Sequence, residues 1–414
     1  MLVRFRYPTP TMALAATAAA FASVCAHAQS RSAEEEEEHF YLSEQYTYDD
    51  NLFRRATTAS PDGTPALDPT LSRDDQINRI TAGIANDFHF GRQTLRATGR
   101  VQDVRFREND HLDHTAGRAH LGLDWRMLAS WSGTLSATYN RTLADFAHLR
   151  TTARDLIQSA TYSGSARYKL GPRWSVSAHG QRIETEHSLD ERTIDDIEAN
   201  YGRFGIDYVT PTEHTFGLEY RHARAKFPNF IAIDPTQRSP EYEESAALAR
   251  LVYTATVHTR FSATFGYVER DHLSGSEGDY SGNTWRAQID WHPREKFSTV
   301  LDAWHEIKAY TDAESDYFVA DGVSLTPKWS PRRWLWLGLE VSYEEQDYIA
   351  PSTLAELTPG REDEVLSALA TITYSPRDNL DLELQYSFGD RNSNRDSRRY
   401  DAQVAGLAIR WRVL

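Results

Sequence analysis

The stretch Ile80-Thr81-Ala82-Gly83-Ile84-Ala85-Asn86-Asp87-Phe88-His89-Phe90 decides the fold. In an extended chain Ile80, Ala82, Ile84, Phe88 and Phe90 share one face, and Thr81, Gly83, Ala85, Asp87 and His89 share the other. That is a period of two, because successive strand side chains point to opposite sides. The pattern resumes past Gly91, where Leu95, Ala97, Gly99 and Val101 alternate with Thr94, Arg96, Thr98 and Arg100. It recurs further on, with Leu121, Leu123, Trp125 and Met127 alternating with His120, Gly122, Asp124 and Arg126. Near the end, Leu380, Leu382, Leu384, Tyr386 and Phe388 alternate with polar residues, as do Leu407, Ile409, Trp411 and Val413.

A soluble sandwich alternates too, and connection lengths separate the two architectures. Short turns near Gly91, Ser130, Gly171-Pro172, Pro211, Thr259, Pro293, Pro331 and Pro376 take turns with long polar segments. The long ones fall near 49–73, 107–115, 141–154, 187–195, 226–242, 271–283, 311–316, 347–363 and 389–399. Short periplasmic turns and longer external loops mark outer-membrane barrels. The short turns share a word: Gly171-Pro172-Arg173-Trp174, Pro293-Arg294, Ser330-Pro331-Arg332 and Ser375-Pro376-Arg377. Aromatics flank them, among them Phe88, Phe90, Trp125, Trp131, Tyr168, Trp174, Tyr253, Phe261, Trp291, Phe297, Trp329, Trp334 and Tyr374. Arranged around a barrel they form one interfacial belt, where an apolar ring with a polar edge is best placed.

The sequence therefore predicts an all-β fold, a transmembrane antiparallel up-and-down barrel over 40–414. Its strands are placed at 40–49, 76–90, 93–106, 115–128, 131–142, 156–170, 173–186, 196–209, 213–226, 243–257, 260–271, 283–292, 296–310, 317–329, 333–346, 363–375, 379–389 and 400–414. That makes eighteen, with sixteen as the alternative, and it leaves both ends of the barrel chain on the short-turn side.

Composition agrees. Mean hydropathy is −0.61, yet the chain holds 21 Tyr, 17 Phe and 10 Trp. Disordered chains are poor in aromatics. A barrel accounts for both facts, since only alternate residues face lipid and aromatic girdles line both interfaces.

At the N-terminus, Arg4 and Arg6 precede an uncharged apolar run from Met12 to Val24 and then Ala26-His27-Ala28. These parts predict a secretory signal peptide over 1–28. The run is too short for a spanning helix. Ala22-Ser23-Val24-Cys25 offers a lipoprotein alternative. Cleavage after Ala28 removes the single cysteine, which excludes disulfides, thiolate metal sites and cysteine nucleophiles. It also takes the formal charge from −15 to about −17 by removing two arginines. So acidic a chain lacks the basic footprint that nucleic acid requires. Glu34 to Glu38 read as part of a solvated periplasmic tail over 29–39.

No Gly-x-Ser-x-Gly, His-Glu-x-x-His or phosphate-binding glycine loop is present, so neither catalytic residues nor a cofactor are expected. The densest polar cluster is Asn109-Asp110-His111-Leu112-Asp113-His114. Its carboxylates and imidazoles would suit a metal, but a solvated surface loop is the simpler expectation and no metal is assigned. The inward face says more. The registers place Arg96, Arg100, Arg126, Arg167, Arg203, Arg221, Arg250, Arg286, Arg410 and Arg412 in the lumen. Asp124, Asp207, Glu219, Asp290, Asp302, Glu340, Asp381 and Glu383 face them, with Trp304 and Trp336 also inward. Opposed charges brace neighbouring strands of a watery interior. Taken as a set, mixed charge with aromatic faces suits a hydrophilic polymer or a sugar. A ring of one sign would have argued for an ion-selective pore.

One stretch, Tyr46-Thr47-Tyr48-Asp49-Asp50-Asn51-Leu52-Phe53-Arg54, carries a family resemblance. A signal peptide, an aromatic strand running into Asp-Asp-Asn-Leu-Phe-Arg, and a barrel of this length resemble the β-barrel porins of exopolysaccharide gene clusters. The chain looks most like the EpsL-type outer-membrane barrel of exosortase systems. The resemblance implies export of extracellular polysaccharide, with outer-membrane lipid, the barrel-assembly machinery, the exopolysaccharide and other export proteins as partners. It brings no catalytic residues, and the terminal Leu414 departs from the terminal aromatic common in such barrels. The alternative function is a general diffusion porin for small hydrophilic solutes. Physically, Asp49-Asp50-Asn51 suits a strand end, since Asx side chains cap turns, and Leu52 and Phe53 are placed to pack at the rim.

Overall fold

The computed structural model describes residues 39–56, 70–147, 151–230, 241–273, 279–309, 317–349 and 360–413. The signal peptide, its cleavage site and residues 29–38 of the predicted acidic tail lie outside the described residues. His39 opens the first strand.

Eighteen strands form a single antiparallel sheet. They are β1 (His39–Asp49), β2 (Asp75–Phe90), β3 (Gln93–Phe106), β4 (His114–Met127), β5 (Trp131–Leu143), β6 (Leu156–Leu170), β7 (Trp174–His187), β8 (Ile197–Val209) and β9 (Thr215–Lys226). They continue as β10 (Tyr242–Thr256), β11 (Thr259–His272), β12 (Tyr280–Arg294), β13 (Phe297–Ala309), β14 (Tyr317–Arg332), β15 (Leu335–Ile349), β16 (Arg361–Arg377), β17 (Leu380–Ser393) and β18 (Tyr400–Val413). Each strand pairs with its sequence neighbours, and β1 pairs with both β2 and β18, so the sheet closes and no edge remains. Eighteen, not sixteen, is the strand count.

The period-two pattern becomes an outside and an inside. Ile80, Val101 and Leu121 are 50–60% exposed on the outer face. Such a band is stable only in lipid, where a closed sheet also satisfies every backbone group. Outward aromatics pair across the short-turn end: Trp131 with Tyr168 at 4.7 Å, Trp174 with Tyr208 at 4.8 Å, Trp334 with Tyr374 at 5.6 Å. The recurring Pro-Arg word has a backbone cause. Pro293, Pro331 and Pro376 each sit inside a register shift just before a turn. Proline has no N–H to donate, so it fits where the ladder is already broken. Gly91 and Gly171 take positive φ of 61° and 85° in two other short turns, the conformation only glycine adopts without strain.

Several strands run past the predicted ends at the loop side, such as β17 to Ser393 and β12 from Tyr280. The ladder continues above the membrane, where the outward face turns polar and the alternation of apolar and polar residues that marks a strand in the sequence fades. The buried apolar cluster sits there too, under the external loops: Leu52, Phe53, Val104, Phe106, Leu112, Ala144 and Phe146.

Candidate solute pathway

Every charged or aromatic residue assigned inward lies on the sheet face opposite the exposed apolar set, as the pairing registers show. Along β6 to β10, Asp207 receives Arg250 at 2.5 Å and Arg167 at 3.5 Å. Glu219 receives Arg221 at 2.5 Å and Arg203 at 3.7 Å. On β12 and β13, Arg286 pairs with Asp302 and reaches Glu306 at 3.4 Å, and Asp290 accepts from Gln288 at 3.0 Å. On β17 and β18, Arg412 pairs with Asp381, which also accepts from Ser375 at 2.6 Å. Glu383 accepts from Gln385 at 2.5 Å and Thr373 at 3.4 Å. On β3, Arg96 donates to Asp87 at 3.1 Å. The side chains of Asp124, Arg126 and Glu340 have no bonded partner among the described residues.

The two tryptophans assigned inward lie on that face with their rings held against the wall. Trp304 is only 8% exposed. Its ring lies against Gly322 on β14, where a Cβ would fall 2.2 Å from it, and its Nε1 donates to Glu344 at 2.9 Å. Arg286 and Lys308 stand over the ring. It braces the wall and does not offer a free face to the lumen. Trp336 lies along its own strand beside Gly338, and Tyr41 lies across Gly83 on the neighbouring strand. Glycine gives each ring the space to lie flat against the wall.

The external mouth is built by loops that turn inward. The stretch quoted for the family resemblance is a folded turn. Asp49 takes both guanidinium nitrogens of Arg54, at 2.7 and 2.9 Å. Burial works against the Arg54 charge, but Asp49 outweighs it and holds the group above its usual pKa range. Asn51 donates to the main-chain oxygens of Arg55 and Asp401, at 2.9 and 2.7 Å. Asp50 accepts from the Gln403 backbone at 2.7 Å. The side chain of Tyr48 points outward and reaches Asp74 at 3.2 Å. Leu52 and Phe53 are buried, and Phe53 meets Phe146 edge-on at 4.9 Å. Phe146 and Ala147 follow β5, yet Ala147 packs against Tyr400 and Ala402 on the inner face of β18. Its carbonyl accepts from Arg391 of β17 at 2.7 Å. With β18, β1, β2, β3 and β4 standing between along the wall, this segment crosses part of the mouth.

A set of aspartates missed in the sequence ties these loops down. Asp75, Asp113, Asp155, Asp196 and Asp279 each stand at or just before the first residue of a strand returning from the mouth. Asp75 accepts from the backbone of Arg107, Glu108 and Asn109 at 2.9–3.1 Å, and from the Asn109 side chain at 2.8 Å. Asp155 takes Ser188 and Leu189, Asp113 takes Phe106, Asp196 takes His187, and Asp279 takes His272. The signal was present, as an Asp closing one long loop after another. The cluster at 109–114 is part of this packing and not a solvated loop: Leu112 and Asn109 are buried, and His111 reaches the Thr152 carbonyl at 3.1 Å. Among the described residues no group of three potential ligands gathers for a metal.

Residues 253–413 match the family model described as "Putative beta-barrel porin 2". No curated protein matches the chain in sequence. Similar solved structures include a BenF-like porin from Pseudomonas fluorescens Pf-5, at 10% identity and a TM-score of 0.49, over 91% of this chain and 99% of that one. They also include OccK9 (OpdG) of Pseudomonas aeruginosa, at 11% identity and 0.48 over 92% and 98%. Pseudomonas aeruginosa OpdK with vanillate is similar at 12% identity and 0.48 over 91% and 98%.

Proposed function

We propose that this porin-like outer-membrane barrel is a diffusion channel for small hydrophilic solutes. The observation that carries the proposal is the inner wall. It is polar along the barrel, its ions are largely held by partners on the wall itself, and its aromatic rings lie flat on glycines. A barrel of this strand number has room for an aqueous bore. The match of its C-terminal part to a porin model supports the same view. Purified full-length protein in planar bilayers is expected to give steady conductance steps that scale with salt. Liposomes carrying it are expected to swell in small neutral sugars.

The narrower proposal is export of extracellular polysaccharide, as the resemblance implies. Its motif is occupied in building a turn, with Asp49, Asn51 and Arg54 all bonded within the fold. The segment at Phe146 and Ala147 narrows the mouth that a polymer would have to thread. Both observations favour small solutes. Deleting the gene and measuring surface polysaccharide separates the two: unchanged polymer with lost solute uptake supports the porin.

A further inference from the structure

The inward charges are not evenly mixed around the wall. We propose that the wall from β18 to β4 holds an anion-binding site, built on Arg79, Arg100, Arg118 and Arg410, that makes the channel prefer solutes carrying a carboxylate or phosphate. This deepens the channel proposal and rests on it.

Arg100 on β3 and Arg118 on β4 are direct cross-strand partners, both inward. Like charges placed opposite each other in a sheet destabilise it unless something of opposite sign is supplied. The barrel contains an instructive contrast. Arg203 and Arg221 are also direct partners, on β8 and β9, and Glu219 binds both. No carboxylate binds Arg118 among the described residues, and Arg118 is exposed to the lumen. Arg100 is largely withdrawn from water beside Tyr41, and the cations that act on it are Arg118, Arg79 and Arg410. Arg79 is aimed by Gln45, whose side-chain oxygen accepts from its Nη1 at 3.0 Å. Arg410 stands over the Tyr41 ring at 5.3 Å, and that ring lies flat across Gly83. Arg79 and Arg410 also line a wall niche with Ser43, Thr81 and two carboxylates, Glu383 and Asp381, the latter paired with Arg412.

Guanidinium is a planar fork that matches carboxylate and phosphate oxygens and never loses its charge. Several such groups on one side of an aqueous bore with low-dielectric walls concentrate passing anions. Asp381 and Glu383 on β17 limit the effect on their own side, so Arg118, farthest from them in strand order, is the outermost contact of the site.

The test uses the full-length protein in planar bilayers under a tenfold gradient of potassium chloride, with potassium gluconate and potassium phosphate as anionic probes and sorbitol as the neutral one. The wild type is expected to reverse on the anion side, and gluconate or phosphate is expected to interrupt its current where sorbitol does not. Arg118→Gln should lower the anion preference by about fivefold, the effect of one unit charge some 4 Å from a passing ion in water. Arg118→Lys should retain most of it, and Arg182→Gln, on the outer face, should leave it unchanged. Heat-modified migration on gels confirms that each variant is folded. Absence of any current would defeat the channel proposal itself. Current with cation preference, or with selectivity unmoved by Arg118→Gln, would overturn the anion site alone.

Discussion

Arg391 on β17 donates through Nη1 to the main-chain oxygen of Ala147, 2.7 Å away, and so holds the segment after β5 against the inner wall of the mouth. Arg391 also lies over the Tyr400 ring at 5.2 Å. Replacing it frees the segment without stranding a charge, because Arg361 keeps Asp363 paired. Arg391→Ala is expected to raise single-channel conductance and to increase current noise. An unchanged conductance would show that the segment does not narrow the bore.

Asp75 is the hub between the first two external loops. Its carboxylate gathers four backbone N–H groups, one of them from the adjacent Gln76, and the Asn109 amide in a buried setting. Asp75→Ala strands those donors and should cost about 3 kcal/mol. A lowered unfolding midpoint in urea checks this, and faster proteolytic cutting near Glu108 is the local readout.

Little of the mouth was legible in the sequence, whereas the wall was. Ile80 to Phe90 announced a strand because lipid on one side and water on the other impose a strict period of two. The turns announced themselves through Gly91, Gly171 and the Pro-Arg words. Loops have no period, and the bond from Arg391 to Ala147 spans 244 positions in the chain. Inwardness was also legible while neighbourhood was not. The sequence places Arg100 in the lumen, but that Arg118 faces it depends on the register of one hairpin. Parity puts Trp304 on the inner face, but parity does not reveal that Gly322 lets the ring lie down.

Tyr41 and Gly83 test that glycine device. A Cβ at Gly83 would fall 2.3 Å from the Tyr41 ring. Gly83→Ala should therefore push the ring into the lumen and destabilise the barrel by about 1–3 kcal/mol. Tyr41→Ala in the same background should recover part of the loss, which a double-mutant cycle measures.

Trp304 is a brace in this account. Trp304→Phe keeps the ring but removes the donor to Glu344, and is expected to cost about 1–3 kcal/mol while leaving ion selectivity unchanged. Loss of solute binding without loss of stability would show instead that the indole faces the pathway.

The central claim is that the eighteen-stranded barrel encloses an open polar bore. The most direct measurement is single-channel current from the folded full-length protein in a planar bilayer. The account predicts discrete, long-lived open steps whose size grows with salt concentration. A correctly folded barrel that inserts and carries no current at any salt concentration would contradict it.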